Sequence, residues 1–413
     1  MFFWICSAPT SWCAEPGPGS APLSSLADLP LEALPEIPIE TVSGASRYEQ
    51  KVTQAPASVS IVTSDEIKKE GYRTLADILE SVPGLYITDD RNYSYLGVRG
   101  FSRPGDYNSR MLVLVDGHRL NDNIFDQALL GTEGVVDVDL IDHLEVIRGP
   151  SSSIYGDSAF FGVVNITTRR GGQINGVEAS VEAGSYDTYK GRFTYGQKFT
   201  NDVKLLLSGS WYESAGQSQL YYPEFDSPAI HYGIAHDADG DLSQSALASL
   251  AWKDFTLSGA FSNREKQVPT ASFGTVFDAG LEKTTDLRAY LDLKFQHDFS
   301  EDTRLMARVS YDLYSYHGLY PYYSTNFTLP MDPVQIVVNH DDALGEWVGT
   351  EWQLTQKLFE KHTLIAGVDY RENLEQLQNN YYDEPGFDNV RIDRSTGYNV
   401  GCMGRHYCPD VSS

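Results

Sequence analysis

The chain has 413 residues, with 57 acidic against 31 basic side chains and a formal net charge of -26; its isoelectric point is near 4.6. This balance argues against nucleic acid as a partner, because affinity for a phosphate backbone rests on Lys and Arg displacing counterions. Mean hydropathy is -0.33, and no run of 18 apolar residues marks a membrane-spanning helix. Spanning β-strands stay open, since about 9–11 alternating residues suffice and leave mean hydropathy unremarkable. The 26 tyrosines and 35 glycines suit a barrel with aromatic girdles.

Residues 1–14 carry a short apolar core and a small-residue region without a basic start. They read as a secretory signal, truncated or with a misassigned start; a lipoprotein signal at Cys13 fits less well after Ser11-Trp12. The cysteines are Cys6, Cys13, Cys402 and Cys408. The long thiol-free interval suits an oxidising compartment. Cys402 and Cys408 enclose five residues, short enough for a loop disulfide, with zinc beside His406 as the weaker alternative. Residues 15–46 are rich in Pro, Gly, Ser and Ala and read as a flexible linker, closing on the β-prone run Ile39, Glu40, Thr41, Val42, Ser43.

A small α+β unit is expected next, over residues 47–172. Val59 to Val62 forms a strand, and Ser64 or Thr63 caps a helix that begins at Asp65-Glu66 and ends at Gly71. Thr74 opens a second helix, with Leu75, Ile78, Leu79 and Val82 at helical spacing, stopped by Pro83-Gly84. Leu112 to Val115 and Leu144 to Ile147 are unbroken apolar runs, as in a small buried sheet. Asp116-Gly117 signals a turn after the first of them.

From Gly176 onward alternating segments replace this texture. The candidate strands are Val177–Gly184, Thr188–Phe199, Val203–Glu213, Gln244–Trp252, Phe255–Arg264, Thr284–Phe299, Thr303–Tyr316, Glu346–Leu358 and His362–Leu374. In the sixth, Leu287, Ala289, Leu291, Leu293 and Phe295 share one face, and Arg288, Tyr290, Asp292, Lys294 and Gln296 the other. Charges at period 2 fit a barrel with lipid outside and a polar lumen. Short turns at 200–202, 253–254, 300–302 and 359–361 alternate with long loops near 214–243, 265–283 and 317–345. That alternation suits short periplasmic turns and long external loops.

Three motifs lie in order: Val98-Arg99-Gly100, the run Met111 to Gly117, and the stretch Leu140 to Thr168 with Arg148-Gly149-Pro150 at its corner. Together they resemble the plug domain of TonB-dependent outer-membrane receptors, over roughly Ile39 to Gly172. The resemblance implies an α+β plug domain followed by an antiparallel transmembrane β-barrel, residues 173–413. That barrel is incomplete, with about nine strands of an expected 22. It also implies TonB-driven import across the Gram-negative outer membrane, with a ferric siderophore as the leading cargo and cobalamin or haem as alternatives. A truncated, non-transporting receptor fragment is the other reading, since open sheet edges are not tolerated in lipid.

The same resemblance supplies site expectations. Ile39, Glu40, Thr41, Val42 and Ser43 are either the box that pairs with TonB, itself coupled to ExbB and ExbD, or simply the start of the plug. Arg99 and Arg148 are expected to pair with barrel glutamates, or else to brace plug loops. Tyr93, Tyr95, Arg103 and Tyr107 are ligand-contact candidates near the plug apex, with packing against the barrel wall as the alternative. Tyr221, Tyr222, Tyr320, Tyr322 and Tyr323 add loop aromatics. Asp237, Asp239 and Asp241 are weak calcium candidates, more simply an acidic turn, because the distal glutamate of a calcium loop is missing. No catalytic constellation and no cofactor is expected; the partners are TonB, outer-membrane lipid and a small-molecule ligand.

Overall fold

The computed structural model describes residues 41–42, 50–51, 57–102, 105–324, 335–359, 362–382, 389–393 and 398–402. After two-residue strands at Thr41–Val42 and Gln50–Lys51, the chain enters β1 (Ser58–Thr63) and α1 (Ser64–Glu70). Thr63 is the cap: its hydroxyl accepts from Glu66 N at 3.3 Å, and the Glu66 carboxylate accepts from Thr63 N at 2.8 Å. Gly71, at φ 74°, ends the helix in the left-handed conformation that glycine adopts without Cβ strain. α2 (Leu75–Glu80) repeats the device with Thr74 and Asp77.

A hairpin of β2 (Leu85–Asp89) and β3 (Ser94–Val98) precedes β4 (Met111–Val115) and β5 (His118–Arg119). Asp116 and Gly117, at φ 51° and 82°, make the two-residue turn between β4 and β5. With β6 (Ile141–Arg148) and β7 (Gly162–Thr168) these strands form a five-stranded sheet, order β1-β6-β7-β4-β5, in which β4 runs parallel to β7. Every residue of β4 is buried. Val113 and Val115 face the helices with Ile78 and Leu79, while Leu112 and Leu114 pack with Ile147 and Tyr155. Burial on both sides is why the run shows no alternation.

The second part is an eleven-stranded antiparallel sheet whose neighbours follow chain order. Its strands are β8 (Gly176–Gly184), β9 (Thr188–Lys198), β10 (Lys204–Ser214), β11 (Asp241–Trp252), β12 (Phe255–Gln267) and β13 (Lys283–Asp298). β14 (Thr303–Tyr323), β15 (Ile336–Leu358), β16 (His362–Tyr382), β17 (Asn389–Asp393) and β18 (Tyr398–Cys402) complete it. Among the described residues β8 and β18 are not paired with each other, so the barrel is not closed.

Two expectations change. Among the described residues the sheet has eleven strands rather than nine, and most of the expected 317–345 loop is strand. Gly318 and Pro321 interrupt the alternation there, yet pairing continues through Pro321 with Val338 to Tyr323 with Ile336. Tyr320, Tyr322 and Tyr323 therefore stand on β14. At 21 residues, and about 3.3 Å each, β14 far exceeds what a bilayer core requires.

The sheet is inside out relative to a soluble protein. Arg288, Asp292 and Asp312 are buried, while Phe193, Leu291, Trp352 and Val368 are exposed. The polar face lies against the plug and the apolar face is left for lipid.

Candidate functional site

The β2–β3 hairpin presents its turn to the barrel wall. Asp90 organises it by accepting from Asn92 N at 2.9 Å, Tyr93 N at 2.8 Å and the Tyr95 hydroxyl at 2.7 Å. The Tyr93 hydroxyl donates to Asp286 on β13 at 2.8 Å. Arg264 on β12 lies over the Tyr93 ring and donates to Asn92 O at 2.7 Å. Its buried guanidinium is balanced by Asp241 at 3.3 Å, Glu133 at 3.8 Å and Asp286 at 4.0 Å. Tyr107, in left-handed backbone at φ 51°, stacks on Phe125, which meets Tyr314 edge-on.

A cavity of about 620 Å³ lies beside these groups, between the plug and strands β14 to β16 with the segment before β13. Tyr93, Tyr95 and Tyr107 line it from the plug, and Tyr314, Tyr316, Tyr320 and Tyr322 from β14. Asp90, Glu282 and Asp341 supply carboxyl groups, and Asn92, Gln127, Asn339, Gln378 and Asn380 supply amides. Among the described residues no Lys or Arg lines it. Burial pushes the Tyr93 hydroxyl pKa well up, helped by the Asp286 carboxylate, so it stays a proton donor. Burial also raises the Glu282 carboxyl to about 7, against a hydrogen bond from the Thr275 hydroxyl. Aromatic faces and amides can hold the rim of a bulky ligand, and the carboxyl groups disfavour an anionic one.

A second polar network docks the plug lower in the lumen. His118 Nε2 is 2.9 Å from Asp312, and its Nδ1 is 3.8 Å from Asp292. The His118 ring stacks on Tyr290 at 4.2 Å. Arg288 pairs with Asp312 at 2.6 Å and donates to Leu120 O; Arg308 pairs with Asp292 at 3.0 Å and donates to Asp116 O. Elsewhere Lys190 meets Asp137 at 3.1 Å and Arg192 meets Asp139 at 3.4 Å. In these last two pairs the plug supplies the carboxylate and the barrel the cation.

That polarity bears on Arg99 and Arg148, which form no ion pair among the described residues. Arg99 is exposed in the turn after β3, with φ 52°. The Arg148 guanidinium donates to Pro83 O at 2.5 Å, Ser58 Oγ at 2.8 Å and Ser60 Oγ at 3.1 Å, bracing β1 against the end of α2. Asp239 and Asp241 are held by Lys266 at 2.8 Å and Arg264 at 3.3 Å, and Asp237 stands apart, so the three do not converge as calcium ligands would. Tyr221 is exposed, and Tyr222 packs on Phe277. Tyr323 is not among the cavity-lining residues. Arg103, Ile39, Glu40, Ser43 and Cys408 lie outside the described residues; Thr41, Val42 and Cys402 are described only as strand backbone. Sequence reading passes over His118 because a lone histidine beside an apolar run has no local signal; its Asp312 partner lies 194 residues away.

The model for the TonB-dependent receptor plug domain matches residues 51–163. The vitamin B12 transporter BtuB of Vibrio vulnificus is 29% identical over 220 residues, covering 51% of this chain and 34% of that protein. The ferric yersiniabactin uptake receptor of Yersinia pestis superposes with a TM-score of 0.59 at 16% identity, over 81% of this chain and 51% of that one. The pyoverdine receptor of Pseudomonas aeruginosa gives 0.62 at 14%, over 84% and 50%. The chain spans about a third of the curated relative and about half of these solved receptors. With the three plug motifs, the capped helices and the lumen-facing polar strands, these similarities show that residues 51–163 carry a TonB-dependent receptor plug domain and that the chain shares the fold of the solved TonB-dependent outer-membrane receptors.

Proposed function

We propose that this chain serves the energised import of a scarce metal chelate across the Gram-negative outer membrane, with a ferric siderophore as the cargo. The observation that carries the reading is the cavity of about 620 Å³, whose wall is shared between the plug hairpin and the barrel strands. A ligand bound there touches both the element that must move and the element that stays. In this reading residues 47–172 are the plug, 173–413 are barrel strands, and 15–46 form a tether carrying the box at Ile39 to Ser43. TonB, driven by ExbB and ExbD, adds a strand to that box, which requires an extended backbone with free edge groups. The interface favours remodelling under such a pull. It is held substantially by ion pairs and hydrogen bonds, which water can replace one at a time. No bond in the cargo is made or broken, so the activity is transport, not catalysis.

The cavity chemistry favours a chelate without net negative charge. A polyanionic ligand, haem with its two carboxylates included, would face Asp90, Glu282 and Asp341 with no lining cation among the described residues to offset them. A corrinoid is the second reading, supported by the identity to a vitamin B12 transporter. Deleting Ile39 to Ser43 from the full-length receptor tests the transport mechanism: ligand binding should persist while ligand-dependent growth is lost. Undiminished uptake would sink it. Fluorescence titration with neutral hydroxamate chelates, anionic catecholate chelates, haem and cobalamin separates the cargoes.

A further inference from the structure

Two outer loops meet at three donor groups that no part of the import cycle uses. His231 and His236 come from the segment between β10 and β11, and Asp278 from the segment between β12 and β13. Their ligand atoms all lie within 4.8 Å of one another. His236 Nδ1 is 3.0 Å from Asp278 Oδ2, and His231 Nδ1 is hydrogen bonded to the same oxygen. The second carboxylate oxygen, Oδ1, accepts from His236 N at 2.8 Å, which fixes the direction in which Oδ2 points. The two rings are nearly perpendicular, at 78°. His231 and its neighbour Tyr232 both hold left-handed backbone, at φ 49° and 54°, and this turn carries the His231 ring to the carboxylate.

We propose that His231, His236 and Asp278 form a binding site for a borderline divalent metal ion of the zinc, cobalt or nickel class. Two imidazole nitrogens and one carboxylate oxygen are the donor set such ions take, whereas calcium and magnesium prefer oxygen throughout. Donors about 2.0–2.2 Å from one tetrahedral ion sit about 3.3 Å apart, beside 3.0 Å for His236 Nδ1 to Asp278 Oδ2 and no more than 4.8 Å between any two of the three ligand atoms here. Small rotations of the rings therefore suffice. On binding, each imidazole coordinates the ion through Nδ1 as the neutral ring with its proton on Nε2, any proton displaced from Nδ1 passes to solvent, and water fills the open position. The carboxylate is positioned for the role, because the His236 N–H on its Oδ1 leaves Oδ2 facing both rings. Asp237, next to His236 in the loop, lies outside the cluster and adds no competing donor.

The ion would clamp two loops that already share a small apolar cluster of Leu220, Ala235 and Phe277. The Asp278 loop also carries Ser272, Phe273 and Glu282, which line the ligand cavity. Metal at the loop junction would therefore stiffen one wall of that cavity. The binding site itself does not depend on the cargo reading.

The test uses the purified full-length receptor in detergent, stripped with chelator and titrated with cobalt(II) while its visible absorption is followed, then with zinc(II) in competition. One saturable site is expected, with cobalt bands that zinc abolishes. His231→Gln, His236→Gln and Asp278→Asn should each weaken binding by roughly 10–100-fold, while Asp237→Asn leaves it unchanged. His231 is exposed and its glutamine variant keeps a hydrogen-bond donor toward Asp278, so loss of the fold does not explain loss of metal there. Absence of saturable binding, or equal affinity in the wild type and the His231 variant, would overturn the proposal. Transport failure with intact cobalt binding would refute the import reading alone.

Discussion

The hydroxyl of Tyr93, at the tip of a plug hairpin, donates to the buried carboxylate of Asp286 on a barrel strand 193 residues later in the chain, at 2.8 Å. The bond joins the wall of the cavity to the lumen network, because Asp286 also faces Arg264 at 4.0 Å. Tyr93→Phe leaves that carboxylate oxygen without its donor, at a cost of about 1–3 kcal/mol for a buried group left unsatisfied. The plug should become more open to limited proteolysis while the barrel stays resistant. Equal cleavage rates in the variant and the wild type would contradict this.

Asn123 of the plug and Gly345 of β15 form a second docking point. The amide of Asn123 donates to Glu375 O at 3.0 Å and to Asn373 Oδ1 at 3.2 Å. A Cβ on Gly345 would stand 2.0 Å from Asn123 Oδ1. Gly345→Ala is expected to displace the plug loop and cost about 1–3 kcal/mol, as overpacking does. Asn123→Ala combined with Gly345→Ala should recover part of the loss, which a double-mutant cycle on plug protection would read. Strict additivity of the two would argue against direct contact.

The pH dependence of plug stability should carry the signature of His143. Glu145 and Asp142 raise its pKa from 6.5 to about 8, against the desolvation of a half-buried ring. The folded-state value is the higher one, so the stabilisation is fully present below 6.5 and is lost as pH rises through about 8. A shift of this size corresponds to roughly 1–2 kcal/mol. The thermal stability of the plug should fall accordingly between about pH 6 and 9, and His143→Gln should flatten that limb of the curve.

Glu282 gives a fall in the same direction over a lower pH range, here because its ionised form is penalised by burial. Burial raises its carboxyl from 4.5 to about 7. The unfolded chain releases this proton first, so stability falls between about 4.5 and 7 and the full penalty applies above 7. Glu282→Gln should stabilise the outer loops by about 2–3 kcal/mol at about pH 8 and change little at about pH 4. Hydrogen exchange of the loop before β13 at both pH values would check it.

Much of this architecture is legible in single segments. The Thr63 and Thr74 caps, the Asp116-Gly117 turn and the buried β4 run follow from local chemistry, because caps and turns need particular residues within about four positions. The alternation of Leu291 with Asp292 is equally local, since lipid and lumen select side chains at period 2. Even the aromatic cluster Tyr93, Tyr95 and Tyr107 stands out beside the Val98-Arg99-Gly100 motif.

Other features exist only once strands are placed in register. The stretch from His317 to Tyr323 reads as loop until β15 pairs with it, since cross-strand bonding can carry a strand through residues that break its pattern. Arg148 carries the motif by which a barrel partner is expected, but the local fold gives its guanidinium Pro83, Ser58 and Ser60 instead. His118 has no meaning without Asp312, nor His231 and His236 without Asp278. Local sequence determined the elements and the side each strand shows to lipid. Tertiary structure decided which charges meet, because a buried ion pair is set by distances between segments that the intervening chain does not encode.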